Sequence, residues 1–296
     1  MKIILLIFVG IFLSLFPKTN PQMLLLRFDD IGMSHAVNMG IKEIAELDIP
    51  FSASIMFACP WYQEGVDILK DETQVTLGIH LTLNAEWKNY RWGPVAGKDA
   101  VPSLVDEHGF FFPSRATLYE NNPTLSDIET ELRAQIERAL KSGAHIEYVD
   151  YHMGTAVDKP EYRSIVEKLA VEYNLAISRY FGEVDVETMY FAPISSKKDS
   201  LIATLSNLET DQYNLFVTHV GKNTSELAAM IDLNPFGPEY MSKHRDAELE
   251  AFKSSEFLSL IRENKVQLLN YSDLIKTHGL KAMESPIKSG YLIYNK

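Results

Sequence analysis

Short apolar runs, each followed by a segment of helical periodicity, recur along this chain, and that alternation constrains its fold more than any other feature. The run at 23–28 (M-L-L-L-R-F) reads as a buried strand, and Ser34 stands where an N-cap belongs, ahead of Val37, Ile41, Ile44 and Ala45 at helical spacing. Further strand-like runs lie at 52–58, 75–83, 146–149, 176–178, 189–192, 213–218 and 266–270. Helical patterns cover 61–70 and 160–173, and the capping-box pattern Ser126-Asp-Ile-Glu129 opens another helix that ends near Lys141-Ser-Gly143. Repeated β-then-α units imply a parallel sheet. Seven or eight of them predict an α/β fold, a single-domain irregular (β/α) barrel; an open doubly wound sheet is the alternative.

Two segments stand outside the alternation. Residues 84–123 are rich in Gly, Pro, aromatic and charged residues and exceed the usual length of a connection, which marks a functional loop. Its Trp87, Tyr90, Trp92 and the run from Phe110 to Phe112 offer surfaces for a ligand, or pack the loop on the barrel. The first twenty residues combine Met1-Lys2, an almost unbroken apolar run from Ile3 to Phe16 and a polar exit. That is the order of a secretory signal, and the run is shorter than the about 20 apolar residues a membrane span needs. The organisation expected is a signal peptide at 1–20, one barrel domain at 21–280 and a tail at 281–296. It implies a secreted or periplasmic protein with no membrane span in the mature chain, an uncleaved N-terminal anchor being the alternative. Cys59 is the single cysteine and lies in an apolar run, so an intramolecular disulfide and a cysteine-rich zinc site are excluded. The formal net charge of −12 argues against nucleic acid or an anionic membrane surface as the main partner. The oligomeric state is open, a homodimer being compatible.

In parallel α/β folds ligands bind beyond the carboxyl ends of the strands. Here the first strand runs into Asp29-Asp30, the third carries His80, the fourth runs into Asp150-Tyr151-His152, and a later one ends in His219-Val-Gly221. Two adjacent carboxylates at the end of an apolar strand repel each other unless something compensates them. Turn formation and helix capping are one reading, a bound cation the other. One carboxylate and two imidazoles from three strand ends form a three-ligand site with room for water, the pattern of a catalytic metal. Zinc suits that donor set; magnesium, manganese and cobalt are compatible. Gly78, two residues before His80, admits close approach of a ligand or another backbone. A barrel brings His219 to the same face, and an imidazole of ordinary pKa suits proton transfer. His35, His108, His145, His244 and His278 read as surface residues, and G-x-S-x-G, G-x-G-x-x-G and P-loop signatures are absent.

The motifs R-F-D-D-I-G-M-S-H-A-V-N, L-G-I-H-L-T-L, E-Y-V-D-Y-H and V-T-H-V-G occur in that order. With P-S-L-V-D-E-H-G-F-F and R-D-A-E-L, they resemble the YdjC-like (ChbG/HpnK) carbohydrate deacetylases over residues 23–275. The resemblance implies an incompletely regular (β/α) barrel related to other polysaccharide deacetylases. It implies a hydrolase that removes acetyl groups from N-acetylated mono- or oligosaccharides, with one divalent metal ion and an N-acetylated sugar as partner. Asp30, His80 and His152 would bind the metal, Asp29 would be the base and His219 the acid, with Asp150 and Arg245 supporting. A metal-dependent O-acetyl sugar esterase and a non-catalytic sugar-binding homologue are the alternatives. The chain departs from the family around Asp150, where Tyr148-Val-Asp150-Tyr-His152-Met-Gly154 keeps one of several histidines, and D-D-I-G replaces D-D-F-G. These departures bear on which sugar is bound rather than on the ligand set.

Overall fold

The computed structural model describes residues 22–286, apart from 236 and 264. The expected signal at 1–20 lies outside the described residues, as does most of the tail at 281–296. Eight strands are seen among the described residues: β1 (Gln22–Ile31), β2 (Phe51–Ile55), β3 (Val75–Leu81), β4 (Ile146–Tyr151), β5 (Ala176–Ile177), β6 (Val184–Asp185), β7 (Tyr213–Thr218) and β8 (Val266–Leu269). All their pairings are parallel, in the order β5-β4-β3-β2-β1-β7-β6, with β8 added to β1. Burial on both faces explains why these segments read as continuous apolar runs rather than as alternating ones.

Strand β1 is the spine. Its first residues pair with β7 on one side and β8 on the other (Met23 with Tyr213, Gln22 with Val266). From Arg27 onward β2 takes the place of β8. The edge strands β5 and β6 have two residues each, and no pairing among the described residues joins them. The result is a single α/β domain, a curled parallel sheet in the form of an irregular barrel.

The helices are α1 (His35–Ala45), α2 (Tyr62–Leu69), α3 (Arg115–Glu120), α4 (Leu125–Leu140), α5 (Pro160–Tyr173), α6 (Lys197–Leu205), α7 (Ser225–Ala228), α8 (Met241–Phe252), α9 (Ser255–Arg262) and α10 (Tyr271–His278). Ser34 caps α1 as expected, its hydroxyl accepting from Val37 N–H. Two elements differ from the sequence reading. Helix α4 is capped by Thr124, which accepts from Asp127 N–H, while Glu129 of the expected box pairs with Arg133 and Lys168. Residues 189–192 form a turn instead of a strand, because the carbonyls of Met189 and Tyr190 bond the Lys197 ammonium rather than a neighbouring strand.

Apolar side chains pack in two places. The larger cluster lies between the sheet and its helices; Phe252 of α8 sits there edge-on to Phe28 at 5.1 Å and to Phe257 at 5.2 Å. The smaller joins Leu25, Tyr148, Ala176, Leu215, Tyr271 and Leu274 within the curl of the sheet. Helix α10 supplies two of these, anchored by Tyr271 N–H to Ser52 Oγ and Ser272 N–H to Thr76 Oγ1. No helix among the described residues is long and apolar enough to cross a membrane. Cys59 is buried in the core, as its sequence context predicts. Because Phe252 is fully enclosed, Phe252→Ala should cost about 3–5 kcal/mol in urea denaturation. A loss below about 1 kcal/mol would show that α8 is not held by this contact.

Candidate metal centre and active site

The site begins with a fault in β1. The pairing of β1 with β2 slips in register between Phe28 and Ile31, and Asp30 sits at φ 65°, a conformation uncommon outside glycine. Consecutive strand residues ordinarily face opposite sides of a sheet. The bulge breaks that rule and brings Asp29 and Asp30, only 3% and 2% exposed, to one centre.

Strand β3 delivers His80 and β4 delivers Asp150, directly opposite each other in the ladder. His80 Nδ1 lies 2.9 Å from Asp150 Oδ1. Arg27, on the same side of β1 as Asp29, donates to that residue twice, from Nε at 2.7 Å and Nη2 at 2.8 Å. Its Nε is also 3.0 Å from Asp150 Oδ2, and its Nη1 donates to Ser178 Oγ at 2.6 Å. Burial alone would raise the Asp150 pKa, but Arg27 and His80 outweigh it and hold the carboxyl down at about 2. Gly78 owes its place to a close approach from within the protein. A Cβ there would stand 2.3 Å from the ring of Tyr148, so a side chain of β4, not a ligand, fills that space.

His152 follows β4, just before Met153 and Gly154, which both have left-handed backbone. Its Nε2 lies 3.0 Å from Glu86 Oε2. Its Nδ1 is 3.2 Å from Asp30 Oδ1 and 3.3 Å from His80 Nε2, and that nitrogen is 3.4 Å from Asp30 Oδ1. The remaining oxygen of Asp30 accepts from Arg245 Nη2 of α8 at 2.5 Å.

Asp30, His80 and His152 thus form a buried group that could hold a metal ion. Donors about 2.0–2.2 Å from one ion, in tetrahedral to octahedral geometry, stand roughly 2.8–3.6 Å apart, as these three do. Each also has its other polar atom engaged: His80 by Asp150, His152 by Glu86, Asp30 by Arg245. A ring nitrogen that donates outward to a carboxylate leaves the inner nitrogen with its lone pair, the tautomer a metal ligand needs. Asp30 Oδ1 is enclosed and makes no hydrogen bond of its own. A second group that could hold an ion, Asp29, His80 and Asp150, shares the same imidazole and is already closed by Arg27.

Charge points the same way. Four buried acids, Asp29, Asp30, Asp150 and Glu86, face only two guanidiniums, Arg27 and Arg245. Burial works against the charged form of both imidazoles. At His80 the carboxylates of Asp150 and Asp29 outweigh it and hold the pKa well above its ordinary value; at His152 Glu86 and Asp30 do so, to about 9. Burial likewise raises Asp30, but Arg245 and the two imidazoles carry it well below the carboxylate range. Both shifts favour the imidazolium form where no cation is bound, and a divalent cation would compete with those protons.

His219 directly follows β7 at the rim of this network. Its backbone N–H donates to Glu248 Oε2 at 3.2 Å, its ring stands edge-on to Tyr190 at 5.6 Å, and its Nδ1 is enclosed without a partner. Burial holds its pKa below the ordinary value, against the charge of Asp30. Gly40 and Gly221 let α1 touch the loop after it; a Cβ on Gly40 would lie 2.8 Å from Gly221 Cα.

The sequence pattern of the family described as YdjC-like protein matches residues 23–263. The chain belongs to the YdjC-like family. Among its relatives, the carbohydrate deacetylase of Brevibacillus brevis is 28% identical over 261 residues, 85% of this chain and 99% of that one. The carbohydrate deacetylase of Thermoanaerobacter pseudethanolicus is 27% identical over 265 residues, 85% of this chain and 98% of that one. The fold matches the crystal structure of an Enterococcus faecalis protein named for cellobiose-phosphate cleavage, with a TM-score of 0.69 and 22% identity over 86% of this chain and 99% of that one.

Of the residues singled out from the sequence, Asp29, Asp30, His80, Asp150, His152 and Arg245 fall into one connected network, and His219 borders it without a hydrogen bond to any of them. Sequence reasoning missed Glu86 and assigned nothing to Arg27. Arg27 stands two residues before Asp29, the spacing that puts both on one side of a strand, and could have been found. Glu86 lies in the 84–123 loop and had no such signal. That loop's aromatics are mostly structural. Trp87, Trp92 and Phe111 are buried, with Trp92 donating to Asn84 O at 2.8 Å and standing 6.2 Å from the His152 ring. Trp92 and Trp87 stand beside His152 and Arg245, and all three rings are packed rather than open to solvent. His244 also departs from its expected surface position, half-buried on α8 with an enclosed Nδ1.

The raised pKa of His152 sets a pH dependence. A group raised on folding stabilises fully below its unfolded value, about 6.5, and that contribution is lost as pH climbs through its folded value. In chelator-treated protein the Tm should fall between about pH 7 and 10, and fall less in His152→Ala. Equal slopes for the two proteins would contradict the raised pKa.

Proposed function

We propose that this chain is a metal-dependent carbohydrate N-deacetylase, hydrolysing the acetamide of an N-acetylated mono- or oligosaccharide to the amine and acetate. The observation that carries the reading is the set of three inward donors, Asp30, His80 and His152, each fixed by an outer partner and set beside a further carboxylate, Asp29. The relatives named carbohydrate deacetylases, matched over nearly their full length, supply the reaction class. The apolar run at 3–16 supports action outside the cytoplasm.

A divalent cation held by those three residues, zinc being the best match to two imidazoles and a carboxylate, would supply Lewis acidity and lower the pKa of water at the site. Asp29 then serves as the general base. Arg27 grips it with two hydrogen bonds, which fixes the carboxylate's direction and leaves lone pairs on both oxygens. His219 stands as the general acid for the departing nitrogen, which leaves poorly without a proton. Held below its ordinary pKa, it is protonated in a falling fraction of molecules as pH rises through that depressed value. Arg245 carries no proton in the reaction; it keeps Asp30 ionised and aimed.

Acetate release from N-acetylglucosamine oligomers, by protein stripped of metal and then reloaded with zinc, magnesium, manganese or cobalt, tests this directly. Release should require metal and vanish in His152→Ala. Asp29→Asn should keep its metal and lose roughly 10²–10⁴ in kcat. The alkaline limb of kcat/KM should lie below about pH 6.5 and disappear in His219→Gln. Metal-independent release, or full activity in Asp29→Asn, would overturn the reading, and release from O-acetylated sugars alone would make the chain an esterase.

A further inference from the structure

Beside the metal centre lies a second buried ion pair that the proposed chemistry does not use. Lys197, at the start of α6, is 1% exposed. Its ammonium has three acceptors, Met189 O at 2.5 Å, Tyr190 O at 3.1 Å and Glu248 Oε1 at 2.9 Å, one for each proton. Glu248 in turn accepts at Oε2 from Thr218 Oγ1 at 2.8 Å and from His219 N–H at 3.2 Å. Burying two charges is costly, and a pair this fully satisfied offsets most of that cost. It ties the turn at 189–192 to the strand end that carries His219 and to the helix that carries Arg245.

That turn presents Tyr190. Its ring stands edge-on to the His219 ring at 5.6 Å, and Phe191, 73% exposed, packs against it from outside at 4.9 Å. The half-buried Tyr190 hydroxyl makes no hydrogen bond to any described residue. Burial keeps the phenol well above its ordinary pKa, with Arg245, Asp232, Glu86 and Asp30 all close enough to act on it. It is a protonated phenol beside the acid histidine, within electrostatic reach of Arg245, Glu86 and Asp30, with no hydrogen-bond partner among the described residues. An acetamido sugar offers acceptors in its carbonyl and ring hydroxyls.

We propose that Tyr190 is a substrate-binding residue whose hydroxyl donates to an oxygen of the acetamido sugar, and that Lys197 is the positioning residue that holds it beside His219. This rests on the deacetylase reading.

The test compares Tyr190→Phe, Lys197→Met and the double variant with the metal-loaded parent. Two readouts are used: kcat and KM for acetate release, and titration of N-acetylglucosamine into the same set built on Asp29→Asn. Tyr190→Phe removes one unpartnered hydroxyl from a half-buried ring and should fold as the parent does. It should raise KM and weaken sugar binding by roughly 3–10-fold, the effect of one lost hydrogen bond, with metal content unchanged and kcat within about twofold. Lys197→Met should weaken binding at least as much, and the double variant should bind no worse than Lys197→Met, because both act through one contact. Unchanged KM and binding in Tyr190→Phe would overturn the proposal, and multiplying losses in the double variant would overturn the role of Lys197. A parent that neither binds nor deacetylates the sugar overturns the deacetylase reading, and this proposal with it.

Discussion

The whole centre depends on where one carboxylate is put. Asp30 occupies a left-handed backbone position at the bulge that ends β1, and its two oxygens are divided between Arg245 and the gap between two imidazoles. A non-glycine residue held there costs on the order of 1–3 kcal/mol and persists only where its surroundings impose it. The surroundings here are explicit. Strand β1 is paired on both sides, α8 is locked by Phe252 against Phe28, and Arg245 reaches Asp30 from that helix. Without the bulge, alternation would send Asp29 and Asp30 to opposite faces, and only one could reach the site.

Around Asp30 the organisation is electrostatic. Every inner donor is steered by an outer group of opposite character: His80 by Asp150, His152 by Glu86, Asp30 by Arg245. The outer ring is itself supported, since Arg27 spans Asp29 and Asp150 and reaches Ser178, which is hydrogen-bonded to Tyr271 of α10 at 2.5 Å. Removing one outer partner would free a ring or carboxylate to turn, and such losses typically cost 10–100-fold in metal affinity. The excess of buried acids over guanidiniums is what a divalent cation, if bound by Asp30, His80 and His152, would offset. Without a cation, the same acids hold the pKa of His80 and His152 above the ordinary imidazole value.

Much of this was legible in the sequence, and the reason is the parallel sheet. Its strands are continuous apolar runs, so a charged residue at a strand's end stands out, and topology gathers those ends on one face. Asp29, Asp30, His80, Asp150, His152 and His219 were found that way. Arg245 came from the family resemblance, since a helix on the far side of the chain has no reason of its own to reach Asp30. Glu86 was not legible, because a loop residue's partner depends on how the loop folds back; here that is set by pairing of residues 86–88 with 231–233. Tyr190 was misplaced with its segment. The run at 189–192 has strand-like composition, and only the buried Lys197, eight residues after Met189, turns its carbonyls away from a sheet. The aromatics of the long loop were ambiguous by composition; burial makes Trp87, Trp92 and Phe111 structural, while Phe110 is exposed and Tyr90 and Phe112 are half-buried.

Imidazolium protons and a divalent cation would compete for the same place, between Asp30, His80 and His152. Calorimetric titration of chelator-treated protein with zinc at pH 7, repeated in buffers of different ionisation enthalpy, counts the ions bound and the protons released. One ion should bind per chain with a net release of protons, and binding should be lost in His80→Ala and His152→Ala. Binding that releases no protons, or that persists in both variants, would place the ion elsewhere and contradict that competition.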